Sequence, residues 1–175
     1  VDWEIVLAYE PLWPFLIYEG LEGAAMVAKY RDVYLNHYVR HADGTSKIWQ
    51  DWTGAAIKFP SHQFEHAFTQ SQGYRQGLDH ESFSLERAKR IMWIEQVLNA
   101  SAGTINRYSS TRQSDRGRQL KRRTFFVNEE NYLVVLNDPA KAGVPFQFVT
   151  AYAVMDLDYL RKLKQTSVLI ETKKV

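Results

Sequence analysis

The sequence predicts an α+β fold in which N-terminal helices pack on an antiparallel sheet of four or more strands. Three observations point there. Helix signals dominate before Gly103, and strand signals joined by short turns dominate after it. The 175 residues are 45% apolar and 14% aromatic, enough for a sizeable core.

Taken in order, Trp3 to Tyr9 is a short apolar run of strand character that stops at Pro11 and Pro14. From Leu21 to Tyr38 the pattern is ambiguous, since Ala24 to Ala28 favours helix whereas Val33 to Val39 alternates. Asp43-Gly44 suits a turn, so a hairpin between Val33–Val39 and Lys47–Trp52 is expected, with Trp49 and Trp52 buried against the body. Ser61 can cap a short helix from His62 to Gln70. On it Phe64 and Phe68 share one face, and His62 and His66 lie nearly opposite. Ser71 to Ser82, rich in Gly, Gln and Ser, reads as a loop. Ser84 then caps a strong helix from Leu85 to Asn99 with Ala88, Ile91, Ile94 and Leu98 as its buried arc. Arg87 falls within that arc. A guanidinium on a packing face must be paired or must reach an anion, so it is either a structural salt bridge or a ligand contact.

Thr104 to Ser109 is the first strand of the sheet, and Thr124–Asn128 joins Tyr132–Asn137 through a short Asn-Glu-Glu-Asn turn. Phe146 to Val154 reads as the central strand. Alternation places Phe146, Phe148, Thr150, Tyr152 and Val154 on one face and Gln147, Val149, Ala151 and Ala153 on the other. Thr150 and Tyr152 would then stand roughly 6 to 7 Å apart along the strand, a spacing suited to two contacts with one phosphodiester. The plainer alternative is that both simply pack. Asp156 to Gln165 closes the chain as a helix with Leu157, Leu160 and Leu163 apolar.

The chain has no cysteine, which excludes a disulfide framework, thiolate metal sites and a cysteine nucleophile. The apolar stretch near its start is broken by Pro11, Pro14, Glu19 and Gly20, so neither a membrane span nor a signal peptide is expected. It begins with Val1 rather than Met, which leaves a longer parent open. Net charge is +2, but Arg107, Arg112, Arg116, Arg118, Lys121, Arg122 and Arg123 face Asp115 alone. That segment therefore carries +6, and the rest of the chain sums to −4. A mildly acidic body with one basic segment is the footprint of a polyanion binder, and arginine over lysine favours bidentate phosphate contacts. The alternative is a solvated basic loop.

The order of segments carries a resemblance. A His-bearing helix (FEHAF), SLERAKRIMWIEQVL, a basic loop, RRTFFV, NYLVVLND and FQFVTAYAV together resemble the small nuclease superfamily grouping barnase, EndoU, the tRNase colicins and RelE (BECR). Its phage-associated branch, PBECR, is the most similar. The resemblance covers residues 59–165, leaving 1–58 as an N-terminal extension or cap and 166–175 as a tail or edge strand. It implies a metal-independent endoribonuclease without cofactors, deployed as a toxin on cytoplasmic RNA such as tRNA. An acidic immunity protein or antitoxin would then cover the basic segment.

That chemistry can be laid onto the residues. RNA supplies its own nucleophile in the 2′-hydroxyl, so the enzyme needs a base, an acid for the leaving 5′ oxygen, and stabilisation of the phosphorane. His66 is the expected base or acid, since imidazole titrates near neutral pH, the plainer alternative being a histidine on the helix surface. Thr150 and Tyr152, the pair that matches the family, would hydrogen-bond the scissile phosphate. Arg87 with Arg122 or Arg123 would balance the developing charge, and Arg107 to Lys121 would hold the RNA backbone.

Two other readings stay open. His62-Gln63-Phe64-Glu65-His66 fits H-x-x-E-H, in which two histidines bind zinc and the glutamate activates water. A basic loop with exposed aromatics would equally serve an RNA- or DNA-binding module without catalysis.

Overall fold

The computed structural model describes residues 9–71 and 81–175. The strand expected at Trp3–Tyr9 lies outside them except for Tyr9, and so does most of the expected loop from Ser71 to Ser82.

In chain order the elements are α1 (Gly23–Val33), a π-helical continuation (Tyr34–Val39), β1 (Ile48–Gln50), β2 (Ala56–Lys58), α2 (Gln63–Ala67), β3 (Thr69–Ser71) and β4 (Glu81–Phe83). There follow α3 (Leu85–Ala88), α4 (Trp93–Leu98), β5 (Thr104–Gln113), β6 (Gln119–Val127), β7 (Tyr132–Asn137), β8 (Phe146–Ala153), α5 (Leu157–Thr166) and β9 (Val168–Lys174). The fold is α+β. Seven strands form one sheet in the order β1-β2-β8-β7-β6-β5-β9, and β3 and β4 pair separately. The sheet is mixed rather than wholly antiparallel, because β2 runs parallel to β8.

The ambiguous N-terminal stretch is helical and forms no hairpin with Lys47–Trp52. Tyr30, Tyr34 and Tyr38 recur every four residues, so all three meet the core, and none is exposed. Each buried hydroxyl donates to a backbone carbonyl: Tyr30 to Leu16 at 2.6 Å, Tyr34 to Pro60 at 2.7 Å and Tyr38 to Ile91 at 2.6 Å. The turn at Asp43-Gly44 is present, with Asp43 accepting from the Thr45 amide and hydroxyl, but it leads from the π-helix into β1. Trp13, Tyr30, Tyr34, Tyr38 and Ile57 thus join the same core as Phe64, Trp93, Phe125 and Phe148.

The helix expected over Leu85–Asn99 is two pieces. Ser84 caps the first, accepting from the Arg87 amide, and Ala88, Ile91, Ile94 and Leu98 are fully buried as the arc predicts. Between the pieces the chain tightens, with the Arg90 and Ile91 amides donating three residues back to Arg87 and Ala88. The freed Ile91 carbonyl takes the Tyr38 hydroxyl.

The basic segment is not a loop. It forms the far ends of β5 and β6, paired through Arg112↔Leu120 and Gln113↔Gln119, with a turn at residues 114–118. The last segment is the edge strand β9, antiparallel to β5.

The central strand carries a β-bulge that alternation alone cannot reveal. Leu136 pairs with Phe148 and Val135 with Thr150, so Val149 is the extra residue and the faces exchange there. Phe146 and Phe148 therefore share the helix-covered face with Ala151 and Ala153, while Thr150, Tyr152 and Val154 point the other way. The five-residue face expected from Phe146 to Val154 does not exist. Gln63 holds the bulge, its Nε2 donating to the Val149 carbonyl at 2.7 Å. On the second face α5 lays Leu160 and Leu163 over Tyr108, Phe126, Leu133 and Val135. No helix among the described residues is long and apolar enough to cross a membrane.

The buried tyrosines give the fold an alkaline limit. Burial pushes Tyr34, Tyr38 and Tyr132 well above the ordinary value of 10. The folded state then keeps protons that the unfolded state releases, so their contribution is intact below about pH 10 and lost as pH rises further. The urea midpoint should stay level from about pH 7 to 9 and fall above about pH 10; a level midpoint at pH ~11.5 would contradict this.

Candidate functional site

Where β8 ends and α5 begins, the chain folds back on itself beside α3. Asp156 caps α5, accepting from the Asp158 amide at 2.9 Å, and this sharp entry brings Tyr159 over Tyr152. Their hydroxyls are 2.6 Å apart. Arg87, held near by the capped start of α3, stacks its guanidinium over the Tyr152 ring at 4.5 Å and reaches the Ala67 carbonyl at 3.4 Å. These groups line a cleft of about 520 Å³, together with Ser84, Arg90 and Asp156.

Two guanidiniums, Arg87 and Arg90, and two carboxylates, Glu86 and Asp156, line the cleft. Burial first, then the hydrogen bond shared with Tyr159, pushes the Tyr152 hydroxyl well above its ordinary value, so it stays protonated at neutral pH. Two hydroxyls carry two protons and their mutual bond uses one, which leaves one O–H for a ligand. Arg90 is already engaged: its Nη1 meets the Glu86 carboxylate at 3.3 Å and the Glu86 carbonyl at 2.5 Å. Hydrogen bonds from Lys89 and Arg90 hold Glu86 below the usual carboxylate range. Arg87 is the guanidinium that stacks on the tyrosine pair.

The candidate residues from the sequence scatter. Arg87 and Tyr152 meet in the cleft. Thr150 is on the same face one pair away, with its Oγ1 buried and without a hydrogen-bond partner. His66 is exposed on α2 and does not line the cleft, although it directly precedes Ala67, whose carbonyl takes Arg87. Arg122 and Arg123 diverge because neighbours on a strand face opposite ways. Arg123 turns toward the helices, paired with Asp51 at 2.8 Å and stacked on Phe146 at 4.3 Å. Arg122 shares the face of Phe126 and Tyr152. Arg107 is paired with Glu171 at 2.9 Å. Arg112, Arg116, Arg118 and Lys121 are exposed along the hairpin. For the H-x-x-E-H stretch, Glu65 is bridged to Arg31 at 3.1 Å, and no three His, Asp or Glu residues converge as a metal cluster among the described residues.

Tyr159 and Asp51 were not among the expected functional or structural residues. The Tyr152–Tyr159 spacing crosses a strand-to-helix junction, where neither a period of 2 nor one of 3.6 applies. Asp51 could have been found from Asp51-Trp52-Thr53, an Asx-turn pattern in which the carboxylate accepts from the residue two ahead. No protein-family model matches this chain, and no curated protein or solved structure matches it either.

Proposed function

We propose that the chain is a metal-independent endoribonuclease of the barnase–EndoU–colicin–RelE kind that seats the scissile phosphate between Arg87 and the Tyr152–Tyr159 hydroxyls. The observation that carries this reading is the convergence of a guanidinium and two hydroxyls in one cleft, on the sheet face that continues into the basic hairpin. In the reaction the 2′-oxygen bonds to phosphorus as the P–O5′ bond breaks. The 2′ proton passes to a base and a proton is delivered to O5′, leaving a 2′,3′-cyclic phosphate. Arg87 balances the phosphorane charge. Tyr152, paired with Tyr159, would donate to the leaving oxygen, and His66, on the neighbouring α2 and outside the cleft, would serve as the base. The Arg112–Lys121 stretch carries the flanking backbone. Cytoplasmic RNA, tRNA included, is the proposed substrate, and an acidic immunity protein or antitoxin the proposed cover for the hairpin.

One observation favours a second reading, a binding module without catalysis: His66 stands outside the cleft. Incubation with total RNA in chelator separates the two. The parent should give discrete products ending in 2′,3′-cyclic phosphate, and His66→Ala should give none while keeping the parental circular dichroism spectrum. Cleavage by His66→Ala at the parental rate removes the histidine from the mechanism. Salt-sensitive RNA binding without any product selects the binding module.

A further inference from the structure

The arginines of this chain divide sharply by partner. Arg31, Arg90, Arg107, Arg123 and Arg161 each meet a carboxylate. Arg122 does not. It is half-buried, forms no ion pair or hydrogen bond among the described residues, and its Nε is wholly shielded from water with nothing to donate to. Directly opposite on β7 stands Asn137, whose Oδ1 is equally buried and unpartnered. On the other side β5 brings Arg112 onto the same face as Tyr108, two residues beyond Ser110, which pairs with Arg122. The two guanidiniums are diagonal neighbours on one sheet surface, close enough for their side chains to meet. Asp138, the next residue after Asn137, bridges to neither.

Burying a guanidinium without a counter-anion is costly, and setting a second one beside it costs more. Burial and Arg112 both push Arg122 below its ordinary value, while Tyr152 and Tyr159 act in the opposite sense, so the site lies within electrostatic reach of the cleft. A bound anion would relieve all of these costs together. Thr150, with its own unpartnered Oγ1, lies between the two places on the same face.

We propose that Arg112 and Arg122 form a second anion subsite on the α5-covered face of the sheet, beside Asn137. Resting on the ribonuclease reading, its natural occupant is a backbone phosphate next to the one held at Arg87. Arg107 and Arg123, committed to Glu171 and Asp51, take no part in it.

The test uses two probes on the whole chain. Sodium tripolyphosphate should raise the melting temperature of the parent. Arg112→Gln and Arg122→Gln should each weaken that response roughly tenfold, and the double variant should abolish it. Arg161→Gln, which removes the same charge elsewhere, should keep the response. Arg112 is exposed, so its variant tests the site even if Arg122→Gln fails to fold. In parallel, the salt dependence of binding a labelled 2′-O-methyl oligouridylate, which cannot be cleaved, should lose about 0.7 of its log–log slope per arginine removed. Equal tripolyphosphate responses in all variants, or none in the parent, overturn the subsite whatever the RNA assay shows. If RNA is cut by the parent but the variants keep its slope, the subsite fails and the ribonuclease reading stands. A variant-sensitive tripolyphosphate response without any RNA binding supports the subsite and overturns the ribonuclease reading.

Discussion

Asp51→Asn is expected to destabilise the protein by about 3–5 kcal/mol, the largest effect of any single polar substitution considered. Asp51 is 4% exposed, and its carboxylate serves four donors: Arg123 Nη1 at 2.8 Å, the Thr53 amide at 2.8 Å, the Thr53 hydroxyl at 2.5 Å and the Ala55 amide at 3.1 Å. The amide side chain keeps the shape but removes the charge, which leaves the Arg123 guanidinium uncompensated against Phe146. A loss of that size is a large part of the roughly 5–15 kcal/mol that holds a domain folded. It would fall on the link between the β1–β2 connection and the main sheet. Urea unfolding should show a lower midpoint at an unchanged slope. Arg123→Gln should cost less, because Asp51 would keep its three donors from Thr53 and Ala55. A drop of under about 1 kcal/mol for Asp51→Asn would mean that water replaces the pair at little cost.

Arg87→Ala should lower RNA cleavage by about a hundred- to a thousandfold, the range seen when one preorganised stabiliser of a developing charge is removed. The guanidinium lies over the Tyr152 ring and reaches the Ala67 carbonyl, so on the proposed reading it would meet an incoming phosphate already positioned. Arg87→Lys should restore little of this, since an ammonium neither stacks flat nor offers a planar pair of donors. The measurement is kcat/KM on a defined RNA in chelator, with near-ultraviolet circular dichroism as the folding control. Parental kcat/KM in Arg87→Ala would remove the cleft from the reaction. A rise in KM alone would make Arg87 a residue that binds substrate and transition state equally.

Much of the architecture can be read along the chain. The arc Ala88, Ile91, Ile94 and Leu98 is buried to the last residue, the strands after Gly103 fall where β-branched and aromatic runs lie between turns, and Asp156 caps the closing helix. The Tyr30–Tyr34–Tyr38 stripe was hidden, because Val33 to Val39 satisfies a period of 2 and a period of 4 equally well. Only the core contacts of all three rings decide between them. The parallel pairing of β2 with β8 joins segments nearly ninety positions apart, and no local pattern encodes it.

The candidate site was legible in its residue types and not in its assembly. Arg87 and Tyr152 stood out as an arginine on a packing face and a hydroxyl on a strand. That they touch depends on Val149 bulging, which depends in turn on Gln63, 86 residues earlier, taking the freed carbonyl. Without the bulge Tyr152 would face the helices and the cleft could not form. Likewise a run of two arginines cannot tell which is neutralised, since the faces of β6 and the position of Asp51 send Arg123 to a buried carboxylate and leave Arg122 without an ion pair among the described residues. By itself, then, the sequence determined the α+β class, the strands after Gly103 and the buried arc of α3 and α4, and that positive charge is gathered between Arg107 and Arg123. The tertiary structure alone decided which of those charges remain available and which hydroxyls they meet. The physical reason is that periodicity and capping act within a few residues, whereas register, bulges and charge pairing are settled by groups that only folding brings together.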